Sequence, residues 1–160
     1  MERFNRQAFL DHGLPADYVQ DNHSRSLPNT LRGLHFQAGP KAQGKLVGVV
    51  SGRIWDVAVD VRPKSPSFGQ HFAVELSGEN GQLLYIPEGF AHGFCVLGNE
   101  PADVFYKVTR PYHAPSDGGI YWADPELAVP WPVTDRSALL ISEKDQKLPS
   151  FAEYRQAHQR

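Results

Sequence analysis

The sequence predicts an all-β jelly roll with short flanking helices, built as one domain over residues 1–160. Side chains alternate with a period close to two between Leu46 and Leu97, as they do along β-strands. The chain contains 14 glycines and 13 prolines, which are spread out rather than massed. This spacing is typical of many short strands joined by turns and favours a sandwich or barrel.

Composition and charge narrow the classes of function. The net charge is −2 and lysine and arginine form no long run, so neither a nucleic-acid partner nor a membrane partner is expected. The N-terminus is polar and no apolar run reaches membrane-spanning length, so we expect a cytoplasmic protein. Cys95 is the single cysteine and lies in an apolar run, which favours a buried thiol without a disulfide.

The predicted elements begin with a short helix over residues 3–12 that ends at Gly13. A strand over 18–24 then enters a polar turn. Alternating or short apolar runs predict further strands at residues 52–62, 72–76, 83–87, 93–97 and 103–108. Turn segments separate these strands and end with 113–119, and a weakly amphipathic helix is predicted over 149–160.

Two of the predicted strands carry polar groups in an informative position. The strand over 52–62 has one apolar face and one largely polar face, with Asp56 and Asp60 on the polar face. In the strand over 103–108, Tyr106 shares an apolar face with two valines, so its hydroxyl needs a partner or a ligand. The periodicity alone favours a structural tyrosine that bonds a backbone group.

Four residues with the spacing G-x5-P-x-G-x2-H resemble the second half of the cupin signature: Gly81, Pro87, Gly89 and His92. This refines the expected fold to a cupin-like double-stranded β-helix. A metal-binding cupin also needs two histidines one residue apart and a glutamate nearby. Here Gln37 stands where a second histidine would follow His35, and two histidines do not complete a three-ligand site, so no metal is expected.

His35, in LRGLHFQ, is the leading candidate for acid–base chemistry, because histidine titrates near neutral pH. A histidine base works best beside a carboxylate, and spacing alone does not choose among Asp56, Asp60, Asp103, Asp124 and Asp145. The candidate acids are Tyr85, Tyr106 and Tyr112. The residues alone leave a catalytic His35 and a packed, hydrogen-bonded His35 equally open. No serine-hydrolase, P-loop or dinucleotide-binding motif is present.

Seven segments occur in the order typical of one family: QDNHS, RGLHFQ, QGKLV, GRIWDVAVDVRPKSPSFGQ, IPEGFAHGF, YKVT and GGIYWADPELAVPWP. From about Gln20 to about Asp145 the chain closely resembles the dTDP-4-dehydrorhamnose 3,5-epimerase family. The resemblance implies a cofactor-free, homodimeric epimerase whose substrate is a 4-keto-6-deoxyhexose joined to a nucleoside diphosphate. The C4 ketone acidifies the C–H bonds at C3 and C5, and removal of either proton moves the negative charge to the C4 oxygen as an enolate. A base, an acid and a cation near that oxygen are therefore sufficient for the epimerisation.

The resemblance also implies a role for each matching residue. His35 matches the base, Asp145 its carboxylate partner, Tyr106 the acid and Lys45 the cation near the developing oxyanion. The implied substrate-binding positions are Arg32, Gln20, Asn22 and Arg62 around the sugar and diphosphate, His92 in a supporting role, and Tyr112 near the nucleotide base.

The sequence departs from the family pattern in two places. Members usually carry a longer N-terminal segment, ending in D-x-R-G-x-F-x-E, that forms a strand exchanged with the partner subunit. Only residues 1–4 could match its tail, so a lost diphosphate contact and an uncovered strand edge at the dimer are expected. The segment YHAPSDGG replaces the common tyrosine-serine-proline pattern, so the base or sugar preference is expected to differ.

Three alternatives stay open beside the double epimerase. The first is a relative that epimerises a single carbon of a related nucleotide sugar. The second is a non-catalytic relative that binds sugar nucleotides. The third is a metal-dependent cupin oxygenase or isomerase, which would require bound metal.

Overall fold

A computed structural model describes residues 1–158 of the chain. The strands are β1 Gln20–Ser26, β2 Leu31–Gln37, β3 Lys45–Ser51, β4 Arg53–Asp60, β5 His71–Ser77, β6 Leu83–Ile86, β7 Phe90–Val96, β8 Ala102–Val108 and β9 Asp117–Gly119. The α-helices are α1 Arg6–Asp11, α2 Glu143–Gln146 and α3 Phe151–His158. All strand pairs are antiparallel, in a first sheet ordered β1–β8–β3–β6 and a second ordered β5–β4–β7–β2–β9.

These elements confirm the all-β jelly roll with short flanking helices. The assignment of residues 1–160 to one domain stays a prediction. No helix in the described part of the chain is long and apolar enough to cross a membrane.

Buried side chains from both sheets form a core between them: Val47, Val49, Ile54, Ala58, Leu76, Ile86, Phe94, Val96, Ala102 and Val104. Each fully buried aliphatic side chain stabilises the fold by about 1.5–3 kcal/mol, so this cluster holds the two sheets face to face. Tyr106 packs against the cluster and lies between buried Val104 and Val108 along β8, which confirms its predicted inward face.

The outer face of the second sheet is covered by the C-terminal part of the chain. Leu34, Val57 and Val59 pack there in one cluster with Phe151 and Tyr154 of α3. The Tyr154 hydroxyl donates to the carbonyl of Val61 at 2.7 Å. Helix α3 is therefore fixed behind β2 and β4 both by apolar burial and by a buried hydrogen bond.

Strand β4 has no face toward solvent. Val57 and Val59 pack beneath α3, whereas Ala58 belongs to the core between the sheets. Asp56 and Asp60, on the face predicted to be largely polar, are 0% and 1% exposed. The polar face therefore points into the protein, where each carboxylate needs a partner.

Several predicted boundaries differ from those observed. The strand predicted over 18–24 runs over Gln20–Ser26, and the predicted turn over 113–119 is wrong at its end, where residues 117–119 form β9. Pairing with β2 imposes the strand on this glycine-containing segment, which has no pattern of its own. The helix predicted over 149–160 is confirmed for 151–158, and its last two positions lie outside the described residues.

Arg3 and Phe4 pack on the outer face of the first sheet, against Phe105 and Lys107 of β8. Helix α1 ends at Asp11, and Gly13 follows with φ +70°, as predicted for a helix stop. The Phe4 ring meets the Tyr18 ring edge-on, with centroids 5.3 Å apart. The Arg3 guanidinium donates to the Val49 carbonyl at 2.8 Å, so the N-terminus is attached to β3 of its own chain.

Strands β2 and β7 approach closely where two glycines meet. Gly33 has φ +124°, and a Cβ built on it would lie 2.5 Å from the Cα of Gly93. The register of the two strands shifts between Arg32 and His35, beside this contact. Because neither glycine has a side chain, β2 and β7 can approach closely at this point and adopt the shifted register next to His35.

Gly33→Ala is expected to destabilise the fold by about 3 kcal/mol or more, because left-handed strain and a backbone clash add together. Gly39→Ala is the matched control, since Gly39 also has positive φ (+61°), but a Cβ added there would meet no atom within 4 Å. It should cost only about 1–2 kcal/mol. Chemical denaturation of both variants measures the difference, and equal losses would contradict the steric argument.

Candidate active site

His35 and Asp145 form a hydrogen-bonded pair between β2 and α2. The Nε2 atom of His35 lies 2.8 Å from Oδ1 of Asp145, and the backbone N–H of Gly33 donates to Oδ2 at 3.0 Å. Asp145 is 3% exposed, whereas His35 is partly accessible. Ser142 caps α2 by accepting from the Asp145 N–H at 3.1 Å, so the carboxylate is delivered by a capped helical turn.

The surroundings of Asp145 keep it ionised. Burial alone would raise the pKa of the carboxyl, but the hydrogen bonds from His35 and from the Gly33 N–H outweigh burial and hold the pKa below its usual value. A carboxylate facing Nε2 of His35 favours the tautomer with the proton on that nitrogen. Nδ1 is then the nitrogen with a free lone pair.

A second histidine–carboxylate pair lies beside the first. His92 faces His35 directly across β2 and β7, and its Nε2 is 2.7 Å from Oδ1 of Asp56. Both residues are buried. Sequence reasoning did not identify Asp56 as the partner of His92, although the polar face of its strand was the available signal.

Lys45 brings a buried positive charge to the same interior. Its ammonium lies 3.4 Å from the backbone carbonyl of His35. Burial lowers the pKa of Lys45 to about 8, a shift that the nearby carboxylates Asp56 and Asp117 partly oppose. At neutral pH the side chain therefore stays mainly an ammonium, although it is almost fully removed from water.

Tyr106 presents its hydroxyl to the cavity without an internal partner. Within residues 1–158 this hydroxyl makes no hydrogen bond, so the backbone partner favoured by the periodicity is not found. Burial raises the pKa of Tyr106, and the charge of Arg32 opposes the shift. The phenol therefore keeps its proton at neutral pH.

Two small cavities bring these groups together. One has a volume of about 150 Å³ and is lined by Ser24, Arg32, His35, Lys45, His92, Gly93, Phe94 and Tyr106. The other has a volume of about 220 Å³ and is lined by His35, Phe36, Gln37, Gln43, Lys45, Tyr106, Tyr112, Asp117 and Lys144. Three residues line both, and these are His35, Lys45 and Tyr106.

The remaining expected substrate residues lie around these cavities, with one exception. Gln20 donates to Asn22 at 2.8 Å, and Asn22 pairs with Tyr106 across β1 and β8. The backbone N–H of Tyr112 lies 3.4 Å from Oε1 of Gln20. Arg32 makes no ion pair within residues 1–158, so its charge is available to an anion.

Arg62 is the exception: like Gln20 and Asn22 it lines neither cavity, but those two contact or pair with the cavity residues Tyr112 and Tyr106, whereas Arg62 is held elsewhere. Its guanidinium donates to Asp60 at 2.8 Å and 2.7 Å and lies over the ring of Phe90. Ser65 and Ser67 donate to the same carboxylate, so Asp60 organises the turn after β4. The substrate role of Arg62 stays a prediction that this arrangement does not favour.

The other candidate carboxylates have structural partners. Asp103 pairs with Arg25 at 3.0 Å on the surface. Asp124 accepts from the N–H of Phe151 at 2.8 Å and thereby fixes the start of α3. Burial raises the pKa of the Cys95 thiol to about 11, as expected for an unreactive buried cysteine.

The side chains that could ligate a metal ion do not form a metal site in the part of the chain that the structure describes. No group of three or more His, Cys, Asp or Glu side chains there is placed to hold a metal ion. His35 and His92 each bond a different carboxylate, and Gln37, at the position of a cupin ligand, donates to Asp117 at 3.1 Å.

Comparison with known proteins assigns the chain to a family. The family model described as dTDP-4-dehydrorhamnose 3,5-epimerase matches residues 1–153. The chain belongs to this family. It is 54% identical over 149 residues to dTDP-4-dehydrorhamnose 3,5-epimerase of Escherichia coli K12, and the match covers 92% of this chain and 78% of that protein.

Solved structures of two relatives have the same fold. The dTDP-6-deoxy-D-glucose-3,5-epimerase of Legionella pneumophila, in complex with dTDP-4-keto-L-rhamnose, is 44% identical with a TM-score of 0.88, and the match covers 96% of this chain and 82% of that one. A 3′-monoepimerase of Streptomyces bikiniensis, in complex with dTDP-quinovose, is 29% identical with a TM-score of 0.89. The match covers 98% of this chain and 78% of that one. These likenesses confirm the cupin-like jelly roll of this epimerase-family chain.

The buried Lys45 makes the stability of this family member depend on pH. The pKa of Lys45 is about 8 in the folded chain against an ordinary value of 10.5. Between these values the unfolded chain binds a proton that the folded chain has lost, so the free energy of unfolding rises with pH. We expect a slope on the order of 1 kcal/mol per pH unit between about pH 8 and 10.

Lys45→Met is the control, because methionine does not titrate. Chemical denaturation of both proteins from pH 6 to 10 measures the effect. The difference in free energy between wild type and variant should be flat up to about pH 7 and then change in favour of wild type. A difference independent of pH would contradict the lowered pKa.

Proposed function

We propose that the chain epimerises C3 and C5 of a dTDP-4-keto-6-deoxyhexose without a cofactor. One observation carries the proposal: His35, which is bonded to Asp145, and the Tyr106 phenol line the same cavities from opposite sheets. A base on one side of the sugar and an acid on the other are what inversion at a carbon beside a ketone requires. The names of the family and its relatives support the nucleotide-sugar substrate.

His35 acts as the base in the proposed reaction. Its free nitrogen takes a proton from C3 or C5, and the electron pair of the broken C–H bond forms a C=C bond as the C4 carbonyl becomes an enolate. Asp145 stabilises the imidazolium that results and holds the ring in place. Tyr106 then donates a proton to the opposite face, and both groups return to their starting states by exchange with solvent.

Lys45 stabilises the enolate oxygen in this proposal. The ammonium is buried, so its attraction to a developing negative charge is stronger than it would be in water. The pKa of about 8 means that the charge is present at neutral pH. His92, fixed by Asp56, is a second polar group in the same cavity and is proposed to support the sugar.

The nucleotide end of the substrate is proposed to lie toward the surface. Tyr112 is exposed at the mouth of the 220 Å³ cavity, where its ring is available to stack on a base. Arg32 provides a cation for the diphosphate or the sugar. Gln20 and Asn22 are proposed to bind polar groups of the substrate near Tyr106.

A single-carbon epimerase is the second candidate. The fold serves both functions, because a 3′-monoepimerase matches this chain with a TM-score of 0.89 and a 3,5-epimerase with 0.88. The same base and acid would serve, and the shape of the pocket would decide whether the sugar can present its second carbon. A non-catalytic sugar-nucleotide binder is a further alternative, against which the joint presence of His35, Lys45, Tyr106 and Asp145 argues.

Hydrogen exchange distinguishes these functions. We expect wild-type protein, incubated with dTDP-4-keto-6-deoxyglucose in heavy water, to replace the protons at both C3 and C5, as read by proton NMR. His35→Ala should lower both exchange and turnover by about 10²–10⁴-fold with the fold retained, because it removes the base. Tyr106→Phe should lower turnover to epimerised product by a similar factor, because it removes the acid, whereas exchange on the face of His35 can continue.

His23→Ala is the matched control for this experiment. His23 is also hydrogen-bonded to a carboxylate, Asp103, but lies exposed and outside both cavities, so its loss should leave exchange unchanged. Exchange at one carbon only would assign the single-carbon function. Binding without exchange would assign the non-catalytic one, and near-normal exchange in His35→Ala would refute the proposed base.

We also propose that the chain forms a homodimer, as the family resemblance implies, and that it works in the cytoplasm. Strand β5 is an edge of the second sheet, and its Phe72 is largely exposed. An exposed edge with an apolar side chain favours pairing with another chain. Light scattering of the purified chain should give twice the 17.9 kDa mass, and a monomer at all concentrations would contradict the dimer.

A further inference from the structure

Asp117 occupies a central position between β2, α2 and the cavity. It lies on β9 directly opposite Gln37 of β2, and Gln37 donates to its Oδ1 at 3.1 Å. The ammonium of Lys144 donates to its other oxygen, Oδ2. Because Lys144 immediately precedes Asp145, this carboxylate holds the residue next to the partner of His35.

Helix α2 is consequently attached to β2 at two points. Asp145 bonds Gly33 and His35 at one point, and Lys144 reaches Gln37 through Asp117 at the other. The helix has only four residues, which is too short to be stable without external contacts. Without the Lys144 link, α2 would be held to β2 only by Asp145 and by the preceding Leu140, whose carbonyl accepts from the N–H of Leu31 at 3.1 Å, so its orientation would be less constrained.

The exposure of the partners indicates that this link contributes more to position than to stability. Lys144 is 61% exposed and the side chain of Asp117 is 15% exposed. An ion pair with one solvated member typically contributes only about 0–1 kcal/mol to folding. A displacement of the catalytic groups by about 1 Å, in contrast, can lower a rate by about 100-fold.

We propose that Asp117 is a positioning residue for the His35–Asp145 pair, an inference that rests on the proposed function for its kinetic part. Asp117 fixes Lys144 and hence α2, so that the carboxylate of Asp145 faces Nε2 of His35. Gln37 serves the same end from β2, because it anchors Asp117 with its amide N–H and accepts from the N–H of His113 at 2.9 Å.

Asp117→Asn tests the inference, because asparagine keeps the size but cannot hold the ammonium by charge. We expect kcat to fall by about 10- to 100-fold with KM changed less than about twofold. Asp117→Glu, which restores the charge, should recover part of kcat. Lys144→Met combined with Asp117→Asn should lower kcat no further than Asp117→Asn alone, since both break one link.

Asp103→Asn is the matched control. Asp103 is similarly shielded (17% exposed) and also bonds a cation, Arg25, but lies outside both cavities. Both variants should lose about the same small amount of stability in thermal unfolding. Only Asp117→Asn should lower kcat.

A spectroscopic measurement keeps the inference independent of activity. Nitrogen-15 NMR of the His35 ring in ligand-free protein distinguishes the Nε2-protonated tautomer from the Nδ1-protonated one. Wild type and Asp103→Asn should show the Nε2 form, and Asp117→Asn should show a mixture.

Two results would overturn the inference. One is an unchanged ring spectrum with unchanged kcat. The other is a raised KM with normal kcat, which would make Asp117 a substrate contact. If wild type exchanges no substrate proton, the proposed function fails, yet the ring spectra still test the positioning.

Discussion

The contact between Asp145 and β2 is the constraint on which the site depends. It joins residues 110 positions apart, and both carboxylate oxygens take part, one toward His35 and one toward the N–H of Gly33. The carboxylate is buried, so losing either hydrogen bond would leave one of its oxygens without that partner, at a cost of roughly 1–3 kcal/mol. The fold therefore favours arrangements in which α2 lies against β2 and the histidine ring is held in one orientation.

Apolar packing outside the barrel maintains this polar contact inside it. The segment between α2 and α3 lies against β9, where a Cβ on Gly119 would come 2.8 Å from the side chain of Leu148. Helix α3 is fixed in turn by Phe151 and Tyr154 on the outer face of the second sheet. Burial of these aromatic rings supplies the free energy that keeps the C-terminal segment, and with it Asp145, in place.

The sequence was informative wherever periodicity decides the structure. Alternation placed Tyr106 on an inward face and Asp56 on the polar face of β4, because side chains point to opposite sides of a strand. Periodicity gives a face but not a partner, so the pairing of His92 with Asp56 was not predicted, and Asp145 was matched only through family resemblance. The four-residue helix α2 and the glycine-containing β9 have no periodic signal, since tertiary contacts impose them.

The two histidine–carboxylate pairs differ in a way that suits different tasks. His35 is partly accessible, so a proton that it removed in the proposed reaction could exchange with solvent, whereas His92 is buried against Asp56 and is held as a fixed hydrogen-bonding group. Oδ2 of Asp56 has no hydrogen-bond partner within residues 1–158, and its charge raises the pKa of Lys45. A buried lysine would otherwise lose its proton more readily. Asp56 and Asp117 thus keep the ammonium charged at the position where the proposed reaction places the enolate oxygen.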